Sequence, residues 1–173
     1  MGLRGDRQAG AGMTHEDLRK RAVRWLTNTK HCGVVLSEIV SACSEIPDAV
    51  GWHGHFSYSV ECKVSRSDFL RNGDKIHSRT GRGVGQLRYF LVPRGLIQPN
   101  ELVDVGLDGV KPWDYGLLWY SEGSGAIKVA KEPIRREACR DDEITMLVSA
   151  LRRVRAREFL VLVQGEETRD LCV

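Results

Sequence analysis

Pro47-Asp48-Ala49-Val50-Gly51-Trp52, a His53-Gly54-His55 tip, and Tyr58-Ser59-Val60-Glu61-Cys62-Lys63-Val64 form the stretch that decides the fold. Its second half alternates: Val60, Cys62 and Val64 share one face of a strand, and Glu61 and Lys63 share the other. The tip predicts a hairpin, so a first strand starting near Asp48 runs back along a second that carries Glu61. Strands in one sheet lie about 4.8 Å apart, which brings the two carboxylates close enough to share a metal. Mg²⁺ takes oxygen ligands and keeps several waters, so two carboxylates suffice to hold it beside a phosphate. An ammonium on the same face, Lys63, can orient the attacking water and offset charge building on the phosphate.

Working outward, Ser65-Arg66-Ser67-Asp68-Phe69-Leu70-Arg71 predicts a short capped helix leaving the strand. From Lys63 to Arg94 the chain carries eight Lys/Arg residues (Lys63, Arg66, Arg71, Lys75, Arg79, Arg82, Arg88 and Arg94) against two acids, Asp68 and Asp74. That local excess, more than the formal net charge of +3, is where a polyanion is drawn. The glycine-rich part, Thr80-Gly81-Arg82-Gly83-Val84-Gly85, lacks the lysine spacing of a nucleotide-binding loop and is expected to be a mobile loop that orders on DNA.

Pro47-Asp48 together with Glu61-x-Lys63 resembles the PD-(D/E)XK nuclease superfamily. The longer phrase Glu61-Cys62-Lys63-Val64-Ser65-Arg66-Ser67-Asp68-Phe69-Leu70 is similar to its MmcB-like DNA-repair branch. The close phrase covers about residues 61–70, and the order of elements about 34–130. The resemblance implies an α/β fold, a restriction-endonuclease-like core with a central mixed sheet flanked by helices. It also implies a Mg²⁺- or Mn²⁺-dependent deoxyribonuclease, with Asp48, Glu61 and the Cys62 carbonyl on the metal and Lys63 at the nucleophile. Many members carry an additional acid upstream, a place for Glu38 or, less readily, Glu16. Some place a Gln and a Tyr on a helix facing the metal; Gln86 is the candidate, and the spacing to Tyr89, one residue shorter here, leaves Tyr89 in doubt. Arg66, Lys75, Arg79, Arg82 and Arg88 are the expected phosphate contacts. A DNA-binding protein of the same fold without strong hydrolysis is the alternative. A zinc-stabilised module built on His31, Cys32, Cys43, His53 and His55 is a third, weakened by spacings that match no compact finger.

The remaining chain sets the frame. At 173 residues it suits one domain, expected over 14–163 between a glycine- and arginine-rich tail (1–13) and a C-terminal tail (164–173). Five scattered cysteines without a CxxC pair read as reduced thiols, and no apolar run approaches the roughly 20 residues of a membrane helix, so a cytoplasmic protein is expected. Thr14-His15-Glu16-Asp17 caps a helix over 15–29 with Leu18, Ala22, Trp25 and Leu26 inward. Val34 to Val40 is expected to start the sheet with Glu38 embedded in it, and Tyr89 to Pro93 to continue it. An irregular insertion covers 98–115, and a hairpin joins Gly116–Ser121 to Ala126–Ala130 around Glu122-Gly123-Ser124-Gly125. From Asp141 a helix carries the apolar stripe Ile144, Leu147, Val148, Leu151 and Val154; its arginines are expected first as a solvated face, with DNA or a partner chain such as a second copy as the alternatives.

Overall fold

The structure is a computed structural model that describes residues 13–39, 46–71, 83–104 and 115–153. The fold is α/β: a six-stranded mixed sheet in the order β1 to β6, flanked by helices and not closed into a barrel. Helix α1 (His15–Asn28) precedes β1 (Val34–Leu36), β2 (Ala49–His53), β3 (Phe56–Cys62) and helix α2 (Arg66–Leu70). Then follow β4 (Leu87–Pro93), the short α3 (Glu101–Asp104), β5 (Gly116–Tyr120), β6 (Ile127–Lys131) and α4 (Arg140–Arg153). The pairs β1/β2, β2/β3 and β5/β6 are antiparallel, and β3/β4 and β4/β5 are parallel.

Helix α1 begins in a capping box: the Thr14 hydroxyl accepts from the Asp17 N–H, and the Asp17 carboxylate accepts from the Thr14 N–H. These bonds hold the Asp17 carboxyl below its ordinary range. Leu18, Ala22, Trp25 and Leu26 then fall on one side and pack on the sheet against Ala49, Val60, Cys62, Tyr89, Leu91 and Leu118. On the opposite face, Phe69 of α2, Ile97 and Leu102 of α3 cover Phe90, Val92 and Leu117, while Met146 of α4 covers Val50 and Val84.

The β2/β3 hairpin pairs His53 with Phe56, leaving Gly54 and His55 as its two loop residues. Gly54 has φ 57°, as the first central residue of a II′ turn needs. Between β4 and β5 the sheet closes tightly at Gly116, where a Cβ would stand 2.6 Å from the Tyr89 ring and 2.8 Å from the Lys131 carbonyl.

Two expectations are corrected, and the last helix is turned the other way from an ordinary surface helix. β1 stops at Leu36, and Glu38 lies beyond it at φ 55°, a left-handed conformation that no strand accommodates. The stretch after the basic loop is strand from Leu87, with Gln86 just ahead of it rather than on a helix. The apolar stripe of the last helix does not face the core: Ile144, Val148 and Leu151 are exposed, and the buried side carries Asp142, Glu143 and Met146. Residues 1–12 and 164–173 of the two tails, Val40, Cys43, the loop 72–82, residues 105–114 and Val154 lie outside the described residues. Among those described, no helix is long and apolar enough to cross a membrane.

Candidate metal and active site

β3 is buried on both faces, and its polar residues line one of them. Val60 and Cys62 lie in the α1 core, while Ser57, Ser59 and Glu61 alternate on the other face, with Lys63 continuing the row. All four are at most 6% exposed. Across the parallel ladder, Ser59 is opposite Arg88 and Glu61 opposite Phe90. Lys63 is held to the sheet by its backbone N–H, which donates to Leu91 O at 3.0 Å.

Asp48 reaches this row from the start of β2. Ala49 is opposite Val60, and Asp48 lies in the bend just ahead of β2, at the Glu61–Cys62 end of β3. Its Oδ2 accepts the Cys62 backbone N–H at 2.6 Å. In an extended chain the N–H and C=O of one residue point to the same side. The Cys62 carbonyl therefore also faces the Asp48 side, beyond the end of the β2/β3 ladder. Burial, with the carboxylates of Asp48 and Glu61 nearby, pushes the Cys62 thiol well above its ordinary range, so it stays neutral.

The Lys63 ammonium lies 4.0 Å from Glu61 Oε2 and 3.9 Å from Asp68 Oδ1. Both are ion-pair separations, longer than a direct hydrogen bond. The ammonium thus sits between a buried carboxylate and one at the first turn of α2, where Ser65 caps the helix by accepting from the Asp68 N–H at 3.2 Å.

Two residues join the site without a sequence signal. His15 Nε2 lies 3.2 Å from Asp48 Oδ2, a contact spanning 33 positions that nothing local to either residue announces. Asp68 belongs to the recognised phrase, but only the fold shows that its carboxylate flanks Lys63.

Other candidates fall elsewhere. Glu38 is exposed and pairs with Arg19, as does Glu16, which also pairs with Lys20. Gln86 lies at the opposite end of the sheet from Glu61, since its neighbour Leu87 pairs with Tyr58. Its amide packs against the His55 carbonyl at 3.1 Å and the Arg135 and Arg140 guanidiniums at 3.2 and 3.1 Å, and its backbone N–H donates to Ser57 O. Gln86 therefore anchors the loop to the hairpin and to α4, and does not reach the carboxylates. Tyr89 points into the α1 core and donates to Glu132 Oε2 at 2.9 Å.

Of the basic residues, Arg66 is half exposed and tied to Glu101. Arg88 is 1% exposed, donating to Gly85 O at 3.0 Å and lying 3.5 Å from the Tyr115 hydroxyl. As placed it is a buried strut rather than a phosphate contact. Lys75, Arg79 and Arg82 lie outside the described residues.

The donor set discriminates between metals. Among the described residues no three His, Cys, Asp or Glu side chains gather as a metal cluster. A closed zinc site requires about four protein ligands. Two carboxylates and a backbone carbonyl fit a hard cation that retains waters. Asp48 makes its contacts with Cys62 and His15 through Oδ2.

No family model matches the chain, and no curated protein matches it. Among solved structures the chain is similar to SPO1766, a protein of unknown function from Silicibacter pomeroyi. The two share 18% identity over 92% of this chain and 97% of that chain, with a TM-score of 0.56. The likeness shows a common fold.

Proposed function

We propose that the chain is a metal-dependent DNA nuclease of the PD-(D/E)XK type, hydrolysing phosphodiester bonds with Mg²⁺ or Mn²⁺ and serving DNA repair or related DNA processing in the cytoplasm. The observation that supports this reading is the buried Glu61–Lys63 pair, 4.0 Å apart at the end of β3, with Asp48 bound to the intervening Cys62 N–H at 2.6 Å. The Asp48 carboxylate, the Glu61 carboxylate and the Cys62 carbonyl would hold the ion. When bound, it supplies a polarised water and neutralises charge on the phosphate.

The chain's own groups do the rest. The Cys62 N–H keeps the Asp48 carboxylate oriented, so no side-chain reorganisation is needed when DNA arrives. Lys63, about 4 Å from two carboxylates, has room to hold a water by one N–H while its charge offsets that growing on the phosphate. Asp68, 3.9 Å away, directs that ammonium. The half-exposed Arg66, which opens α2, and the sequence-predicted Lys75, Arg79 and Arg82 supply the backbone attraction that draws DNA.

Binding without hydrolysis is the second reading. One observation favours it: Gln86 and Tyr89 are engaged in packing, so the site relies on three side chains. Cleavage of labelled single-stranded, duplex and branched DNA in Mg²⁺ or Mn²⁺, with wild type beside Asp48→Asn and Glu61→Gln, separates the two. Metal-dependent cleavage lost in both variants supports the nuclease. Binding without cleavage in either metal supports the alternative, and neither binding nor cleavage counts against both.

A further inference from the structure

Helix α4 has its apolar side outward. Its inward side holds Met146 against Val50 and Val84 and buries two acids, Asp142 and Glu143. Glu143 accepts the Gly85 N–H at 3.1 Å and pairs with Arg140 at 2.8 Å, so the helix is docked by polar bonds. At 3.6 residues per turn, Ile144, Val148 and Leu151 form a stripe diametrically opposite that side. They are 57%, 41% and 53% exposed. A surface helix ordinarily turns such a stripe inward.

The charges around the stripe indicate its occupant. Asp141 flanks its N-terminal end and Arg152 its C-terminal end, on the same side of the helix, with Arg153 beyond. Acid at one end and base at the other make this face complementary to itself when reversed. We propose that it is the contact between two copies of the chain, with their α4 helices antiparallel about a two-fold axis near Val148. Ile144 of each copy then meets Leu151 of the other, and the two Val148 side chains meet at the axis. Asp141 comes within about 3 Å, along the axis, of Arg152 of the other copy, at 1.5 Å rise per residue. Antiparallel packing also sets the helix dipoles head to tail. One helix pair is a small interface, so the association is reversible and concentration-dependent.

Sedimentation equilibrium of the full chain from about 1 to about 500 μM tests this, spanning the affinities of weak interfaces. The expected result is a monomer–dimer equilibrium. Each Val148 contributes roughly tenfold, and two meet at the axis, so Val148→Glu raises the dissociation constant on the order of a hundredfold, with far-ultraviolet circular dichroism unchanged. Asp141→Arg and Arg152→Asp should each weaken the dimer, and the double variant should restore it, which decides the matter even if Val148→Glu misfolds. A monomer across the whole range overturns the proposal, as does a dimer indifferent to Val148→Glu. So does a wild-type monomer whose melting midpoint falls in Val148→Glu, because the stripe is then covered by the chain's own residues after Arg153.

Discussion

Removing the Asp48 carboxylate should damage the fold before it damages any chemistry, and by a predictable amount. Asp48 Oδ2 accepts the Cys62 N–H at 2.6 Å, and Cys62 is fully buried. Hydrogen bonds to charged groups contribute about 1.5–3 kcal/mol, and a buried N–H left without a partner costs a similar sum. Asp48→Ala should therefore lower stability by about 2–3 kcal/mol. In a chain of this size, at roughly 2–4 °C per kcal/mol, the melting midpoint falls by roughly 5–10 °C. Asp48→Asn keeps an acceptor at the same place but not the charge, which halves the bond, so its loss should be near 1 kcal/mol. His15→Ala tests the other contact on Oδ2. That residue is half exposed and 3.2 Å away, an arrangement that contributes about 0–1 kcal/mol. Thermal or urea unfolding of the three variants gives the ranking Ala, then Asn, then the His15 variant. Mg²⁺ or Mn²⁺ should raise the wild-type midpoint by linkage and leave that of Asp48→Asn unmoved. An Asp48→Ala protein melting within a degree or two of wild type would refute the reasoning, since the Cys62 N–H would then have no need of Asp48.

Other expectations follow from single contacts. Lys63→Met leaves Glu61 buried without its ammonium, and breaking a buried pair costs about 3 kcal/mol; urea unfolding checks the cost, and unchanged DNA cleavage would remove Lys63 from the chemistry. Gly116→Ala places a methyl 2.6 Å from the Tyr89 ring and 2.8 Å from a backbone oxygen, an overpacking of about 1–3 kcal/mol. Gly123→Ala meets nothing within 4 Å and should be within 0.5 kcal/mol or so of wild type; equal melting of the two variants contradicts the packing described. Burial raises the Cys32 thiol from 9.0 to about 11. A folded-state value above the unfolded one gives stability that is complete below pH 9 and lost as pH rises through about 11. The stability gap between wild type and Cys32→Ala should thus shrink over that window; a gap that widens there is the opposite sign.

The elements legible in the sequence are those whose patterns are local. The Thr14 capping box, the apolar spacing of α1, the His53–His55 tip and the Ser65-capped α2 depend on neighbours a few positions apart, and each lies where those neighbours put it. The hairpin register, Ala49 opposite Val60, was also legible, because a tight turn converts a spacing into a register, and it leaves Asp48 near the Cys62 end of β3. Glu38 was misread because strand alternation carries no notice of a left-handed turn. Gln86 was misread because its partners His55, Arg135 and Arg140 are distant in the chain, and His15 was missed for the same reason. The last helix shows how periodicity identifies an apolar side without saying what covers it. A glutamate that binds Gly85, 58 positions earlier, decided which side of α4 faces the sheet.

The energetics of the sheet bear on whether the polar row is structural or functional. On the α1 face, apolar side chains close against each other with Cys62 kept neutral. On its other face, the same strand carries Ser57, Ser59, Glu61 and Lys63 under cover, beside a buried Arg88 whose Nη2 has no hydrogen-bond partner among the described residues. Replacing a buried ion pair by well-packed apolar residues is often neutral or stabilising by 1–4 kcal/mol or so. A sheet selected only to fold gains little from charges held about 4 Å apart, too far for direct hydrogen bonds. That spacing suits groups that must leave room for a third party between them. A Glu61→Leu/Lys63→Met variant therefore discriminates between the two roles. If the row is functional, the variant should fold as well as wild type or better while losing every metal-dependent property; if the pair serves the fold, its unfolding free energy should drop instead.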